Sequence, residues 1–276
     1  MLSDHISPSD YHKLSKKLRE FFEKKGLVEC YLQNRLSILA ACEDPSNIST
    51  FQYVGQIWPQ IQTNQMHLER VILTEPDPQP GYFVTTTSYR EEQNPIPNRH
   101  CLIFGMTEWE LPCDFEKLIQ FEKELLEHLG FGETSTYVEV NYVDMCEKYG
   151  VQEITHVEEQ RLYEDYGPVV FLKHFPHPYS FWNMKREGEI ACKVDVILTG
   201  FETIGSAQRS CDPEEMRQSF RTISDGQYAQ LLYDQFGHER VDKELEDYLS
   251  LKFTTRSGAG MGQNRMITAM KKLNLL

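Results

Sequence analysis

Between residues 82 and 110, two strand-like runs on either side of a short polar stretch restrict the fold more than any other part of this chain. Tyr82-Phe83-Val84-Thr85-Thr86-Thr87 and the segment from Cys101 to Trp109 are rich in the aromatic and β-branched residues that suit a pleated surface. Gln93-Asn94-Pro95-Ile96-Pro97-Asn98-Arg99-His100 is too polar and proline-rich to continue either strand, so a hairpin is expected. Its charges are placed suggestively, with Arg90, Glu91 and Glu92 before the turn, Arg99 and His100 within it, and Phe104, Glu108 and Glu110 on the return. A guanidinium on a rigid strand can grip a phosphate, a carboxylate can accept from an adenine amino group, and an Arg/His pair on a loop can fold over terminal phosphates. Taken alone, such a pattern is more often an ordinary hairpin with surface ion pairs.

Hydrophobic periodicity predicts helices around this hairpin. Residues 8–25 put Leu14, Leu18, Phe21 and Phe22 on one face, with Ser7 as candidate cap, Pro8 in the first turn and Gly26 at the end. Residues 114–129 run from an Asp114 cap to Gly130, with Leu118, Ile119, Leu125, Leu126 and Leu129 forming the apolar stripe. Further strands are predicted at Pro168-Val169-Val170-Phe171-Leu172 and at Cys192-Lys193-Val194-Asp195-Val196-Ile197-Leu198. Residues 175–183 between them are too few for a crossover helix, so this pair is expected to run antiparallel. Residues 212–250 are helical in pattern and strongly acidic. With no repeat, linker or composition break, residues 1–276 are expected to form one α+β domain, an antiparallel sheet flanked by helices.

A chain of 276 residues, 40% hydrophobic, can bury one large core. Its net charge is −14 and no Lys/Arg run exceeds a pair or so, which argues against a tRNA partner. Seven irregularly spaced cysteines fit reduced thiols better than a disulfide framework or a zinc site. Asp4 and His5 stand where a targeting segment would be basic, and no apolar stretch is long enough to span a membrane, so a cytoplasmic protein is expected.

Toward the other end, Gly258-Ala259-Gly260-Met261-Gly262-Gln263-Asn264-Arg265 precedes the helix-like Met266-Ile267-Thr268-Ala269-Met270. Alternating glycines clear side chains from a strand so that a ligand can approach its backbone. No βαβ unit follows, so this is not the dinucleotide fingerprint, and alone it reads equally as a flexible tail. Together, the hairpin and the glycine run resemble motifs 2 and 3 of class II aminoacyl-tRNA synthetases, in the group of the aspartyl and asparaginyl enzymes and the ammonia-dependent asparagine synthetases. Three more segments agree in chain order. Cys42-Glu43 is similar to the family's Cys-Glu-Gly loop, Pro59-Gln60-Ile61 to its substrate strand, and the run from Asp195 through Glu202 to Gln208-Arg209 to its Asp, Glu and Gln-Arg positions.

The resemblance implies a class II catalytic domain that uses ATP and Mg2+ to convert an aspartate-like amino acid to an acyl-adenylate. It makes Arg90 and Arg265 the candidate catalytic residues, with Arg90 on the α-phosphate and the reacting carboxylate. Glu92 would meet the adenine amino group, Arg99 and His100 the β- and γ-phosphates, and Phe104 and Arg265 the two faces of the adenine, with Gly260 and Gly262 leaving room for the nucleotide. Glu202 would ligate magnesium, assisted by Asp195. Glu43, Gln60 and Glu108 would surround the α-amino group, and Arg209 would read the side-chain carboxylate or amide.

The chain departs from the family at four places. Thr63, or Asn64 if the register slips, stands where aspartate-using relatives carry a lysine. Gly205 stands where aspartyl-type relatives often offer the metal a serine. The stretch from Gly26 to Gln33 lacks the motif 1 proline of the dimer interface, so a homodimer is expected from the family alone. The anticodon-binding OB domain is expected to be missing, because the motif 1 helix begins within the first ten residues. Three functions stay open: amidation of an activated aspartate by ammonia, favoured by Gln263; adenylation of asparagine, aspartate or an analogue for another acceptor, favoured by the missing lysine; and non-catalytic sensing of ATP or an amino acid, opposed by the intact Arg90, Glu92, Glu202 and Arg265.

Overall fold

A computed structural model describes residues 6–32, 36–41, 43–97, 99–177 and 181–276. Helix α1 (Pro8–Lys24) leads into a short β1 (Val28–Glu29), which lies parallel to β4 (Tyr82–Tyr89). β4 and β5 (Ile103–Leu111) form the expected antiparallel hairpin, and the late strand β11 (Ser257–Gly262) borders β5. The sheet continues through β10 (Phe201–Gln208), β9 (Ile190–Leu198), β7 (Val169–Pro176) and β6 (Val138–Asn141), antiparallel except for the β6–β7 pair, with β8 (Arg186–Glu187) beside β9. Segments far apart in sequence thus become neighbours, and the predicted antiparallel pairing of β7 and β9 is present. A small hairpin, β2 (Thr50–Tyr53) and β3 (Gln56–Pro59), precedes helix α2 (Gln65–Thr74).

Side chains alternate across a strand, and here the alternation divides the sheet into two chemically different faces. On β5, Trp109 and Leu111 enter the main core, where the Phe22 ring lies 4.6 Å from Phe83 and 5.7 Å from Trp109. Met106, Glu108 and Glu110 alternate with them toward the opposite face. On β11, Ala259 and Met261 join the core while Gly258, Gly260 and Gly262 alternate with them, and on β9 Val194, Val196 and Leu198 alternate with Lys193 and Asp195. Helices α1, α3 (Phe115–Leu129) and α9 (Gln263–Lys272) cover the apolar face with Leu14, Leu18, Leu118, Leu125 and Met266. Gly258 has a packing reason: a Cβ there would fall 1.7 Å from Glu110 Oε2 and 2.3 Å from Gln65 Nε2.

The helix ends follow the expected chemistry with one exception. Asp114 accepts from the Lys117 N–H at 3.0 Å, and Gly130 closes α3 in the left-handed region. Ser7 precedes α1, but its hydroxyl makes no cap bond; its carbonyl accepts from the Tyr11 N–H instead. The acidic stretch breaks into α6 (Pro213–Thr222), α7 (Gln227–Phe236) and α8 (His238–Leu249), packed on a second core of Trp182, Met216, Phe220 and Tyr248. Periodicity did not signal α2, nor α4 (Tyr142–Tyr149) and α5 (His156–Tyr166), which lie near β7. Far from a flexible tail, the glycine run is a central strand. Cys42 and Gln33 lie outside the described residues. No described helix is long and apolar enough to cross a membrane.

Candidate active site

A cavity of about 500 Å³ opens on the polar face of β4, β5, β11, β10 and β9. At its guanidinium-rich part, Arg90 leaves the end of β4 with its N–H on the Leu102 carbonyl, 2.8 Å away. Its side chain is ion-paired with Glu43 and lies 5.4 Å from the centroid of the Phe104 ring. Glu92, half-buried, lines the same space. Arg99 pairs with Glu159 at 2.5 Å, and Glu159 also accepts the Glu202 N–H at 2.8 Å. His100 Nδ1 accepts the Ile96 N–H at 3.4 Å, which leaves Nε2 as the protonated nitrogen of a neutral ring. Burial lowers the His100 pKa, helped by the guanidinium charges of Arg265, Arg99 and Arg90 and opposed by Glu92. Arg265, third residue of α9, donates to the Glu202 carbonyl at 2.7 Å. Gly260 and Gly262 line the cavity, and a Cβ at Gly262 would meet nothing within 4 Å, so the wall is open there.

The residues proposed for magnesium stand on the β9–β10 hairpin. Its two-residue turn, Thr199-Gly200, has positive φ at both positions, the geometry that lets a tight hairpin follow the strand twist. Asp195 lies opposite Gly205, and a Cβ on Gly205 would sit 3.3 Å from Glu202 Oε1 and 3.7 Å from Asp195 Oδ1. Both carboxylates therefore reach one spot above this glycine. Asp195 is 7% exposed and its Oδ1 has no hydrogen-bond partner, whereas Oδ2 accepts from Lys193 Nζ at 2.9 Å. Burial pushes the Asp195 carboxyl up to about 7 against the pull of Lys193. Burial raises Glu202 too, but the charges of Arg265, Lys193, Arg90 and Arg99 outweigh it and leave its pKa below the usual carboxylate value. Among the described residues no group of three His, Cys, Asp or Glu side chains could hold a metal unaided. An orphaned carboxylate oxygen beside a second carboxylate fits magnesium, which takes one or two protein oxygens and completes its shell with phosphates and water.

At the buried part, Glu108 is 1% exposed, accepts from the Asn64 N–H at 2.9 Å and is hydrogen-bonded to the Thr63 hydroxyl. Burial pushes its carboxyl up to about 7 despite these bonds. Thr63 lines the cavity with its hydroxyl bonded to Glu108, while the Asn64 side chain is spent on Thr86 and Glu108. Arg209, 5% exposed, lies 3.6 Å from both Glu69 and Glu110, and its Nε has no hydrogen-bond partner. Glu69 is the hub of a buried network: Arg256 Nη2 lies 2.6 Å away, the Tyr248 hydroxyl donates at 2.6 Å and Asn183 Nδ2 at 2.7 Å. Glu110 accepts from Gln65 Nε2 at 2.6 Å, and burial pushes it up to about 8.

Of the candidate residues, Gln60 alone is not brought to the cavity. It lies just past β3, accepts from the Ser49 hydroxyl at 2.7 Å and does not line the cavity. Lys193, Glu159, Glu69 and Arg256 went unrecognised in the sequence. The two-residue spacing of Lys193 and Asp195 was the available signal for the first, since it puts both on one face of β9. Glu69 and Arg256 gave none.

A polar-faced antiparallel sheet with arginines at one end of its cavity and carboxylates on a neighbouring hairpin is a class II synthetase catalytic core. The chain belongs to the family of class II tRNA synthetases (D, K and N), whose model matches residues 11–275. No curated protein matches the sequence. Solved structures share the fold. The asparaginyl-tRNA synthetase of Pyrococcus horikoshii, complexed with asparaginyl-adenylate, has 20% identity and a TM-score of 0.75, covering 96% of this chain and 66% of that one. The Entamoeba histolytica asparaginyl-tRNA synthetase with asparaginyl-adenylate follows at 17% and 0.74, over 95% and 63%. The Entamoeba histolytica aspartyl tRNA synthetase gives 15% and 0.69, over 95% and 54%. The chain thus spans less than two thirds of the length of these structures.

Proposed function

We propose that this chain is an ATP-dependent ligase that activates the carboxylate of an aspartate-like amino acid as an acyl-adenylate, which ammonia then attacks. The observation that carries the reading is one cavity joining a guanidinium-rich part, walled by Gly260 and Gly262, to a buried part holding Glu108 and Arg209. A carboxylate oxygen of the substrate would bond to the α-phosphorus while the bond to pyrophosphate breaks and pyrophosphate leaves with the electron pair. Arg90 would oppose the negative charge that builds on phosphorus, and Phe104 and Arg265 would sandwich the adenine. Glu92 would accept from the adenine amino group, and Arg99 and His100 would meet the outer phosphates. Bound magnesium, held by Glu202 and Asp195, would supply further neutralisation of the phosphates. Glu43 and Glu108 would receive the α-ammonium. Glu69 is engaged by Arg256, Tyr248 and Asn183, and Arg209 stands 3.6 Å from Glu69 and Glu110 without a hydrogen bond from its Nε, so its guanidinium would be available to the substrate's far end. Ammonia forms the C–N bond as AMP departs with the C–O electron pair, and the spare protons pass to solvent. The family resemblance carries a homodimer into this reading.

The test is product analysis with MgATP, aspartate and ammonium, for which equimolar AMP and asparagine are expected; ADP as product would contradict an adenylate. A second reading has its own support in Thr63, which leaves the pocket one positive charge short, and in the asparaginyl-adenylates of two similar structures. In it, asparagine, aspartate or an analogue is adenylated and passed to a protein, small-molecule or tRNA acceptor, and ammonia has no effect on AMP release.

A further inference from the structure

The cavity wall pairs each carboxylate near the metal position with its own cation. Glu159 has Arg99 at 2.5 Å, Glu202 has Arg265 at 3.7 Å, and Asp195 has Lys193 at 2.9 Å. The first two cations come from the hairpin turn and α9, but Lys193 comes from β9 itself, two residues before the carboxylate it holds. Its ammonium sits 3.8 Å from the centroid of the Phe175 ring, its side chain is 19% exposed, and it lines the cavity. Phosphoryl-transfer sites often use two divalent ions to neutralise the phosphates. Here the protein oxygens left for such ions are few. Gly205 brings no hydroxyl to the spot, and Asp195 Oδ2 is already taken, which leaves Asp195 Oδ1 and Glu202 Oε1. A divalent ion sharing Oδ2 with an ammonium would meet like charge at contact distance in a buried site.

We propose that Lys193 is a resident cation of this subsite, its ammonium standing in the charge position of a second divalent ion, so that the site takes a single divalent ion with the nucleotide. This rests on the ATP-activation reading for its purpose, but the ion count does not depend on turnover. With Lys193 replaced by Met, a side chain of similar length, Asp195 loses the cation that occupies Oδ2, so a divalent ion can reach both carboxylate oxygens without meeting an ammonium at contact distance.

The experiment is manganese titration of the full chain followed by electron paramagnetic resonance, without nucleotide and with a non-hydrolysable ATP analogue. Lys193→Met is expected to bind manganese without nucleotide at least about tenfold more tightly than wild type. With the analogue, bound manganese per nucleotide is expected to rise from one to two. Lys193→Arg, which keeps the charge, should behave as wild type, and adding Asp195→Asn to Lys193→Met should abolish the gain. Equal manganese binding by wild type and Lys193→Met, at matched circular dichroism, overturns the proposal, as does a wild-type protein that binds two ions per nucleotide. If the analogue fails to bind, the activation reading falls, and the nucleotide-free comparison still decides the role of Lys193.

Discussion

Arg209 sits in a buried setting with two carboxylates 3.6 Å away and an Nε that no group satisfies, so it is held in place without being fully used. In the proposed function a substrate carboxylate or amide would supply the missing partner. Arg209→Ala should therefore cost at least ~2 kcal/mol in kcat/KM for the amino acid while leaving the KM for ATP unchanged. A raised ATP KM instead would move Arg209 out of the amino-acid pocket. Glu108 allows a pH test: its carboxyl ionises at about 7, and only the ionised form attracts an α-ammonium. The KM for the amino acid should fall as pH rises from 6 to 8, and Glu108→Gln should flatten that profile; identical profiles would remove Glu108 from the ammonium site. That Arg209 and Glu108 line one cavity could be read from sequence because each lies in a recognisable motif, Glu108 on β5 and Arg209 just past β10. Glu69 and Arg256 could not, because a polar residue in a short helix or loop looks the same whether it meets solvent or, as here, is fully buried in an ion pair.

At the scale of elements, α3 was legible because its leucines recur with helical period and its ends carry an Asp cap and a left-handed glycine. α2 was not, because Gln65, Met66, His67, Leu68 and Glu69 are all buried in succession, so no polar face exists to set a period. The α3 stripe also hides a polar member. Glu122 is 0% exposed, accepts from the Ser206 hydroxyl at 2.5 Å and leaves Oε2 without a partner, and burial pushes its carboxyl up to about 8. A raised carboxyl pKa means the folded chain keeps a proton that the unfolded chain gives up above about 4.5. Its contribution to stability is therefore full below that value and is lost as pH rises toward 8. Glu122→Gln removes the titration, so its stability relative to wild type should improve by at least about 1 kcal/mol between pH 5 and 8, measured by urea denaturation. A difference that stays constant with pH would mean that Glu122 is ionised in the fold.

At the scale of the whole molecule, residues from 43 to 265 meet on one face because β4, β5, β11, β10 and β9 lie side by side. The order of the motifs along the chain was enough to read this, whereas the strand neighbours and the cations on the far hairpin required the register. The acidic charge of −14 fits the proposed activity, since phosphates would be met by arginines gathered in the cavity and not by a basic surface. Formation of an acyl-adenylate in this cavity is tested most directly by amino-acid-dependent ATP–pyrophosphate exchange in the presence of magnesium. Exchange is expected to be stimulated by aspartate or asparagine and reduced at least tenfold by Arg90→Ala, a loss of about 1.4 kcal/mol or more of transition-state stabilisation, with the fold intact. Exchange with no amino acid, or a wild-type rate in Arg90→Ala, would contradict it.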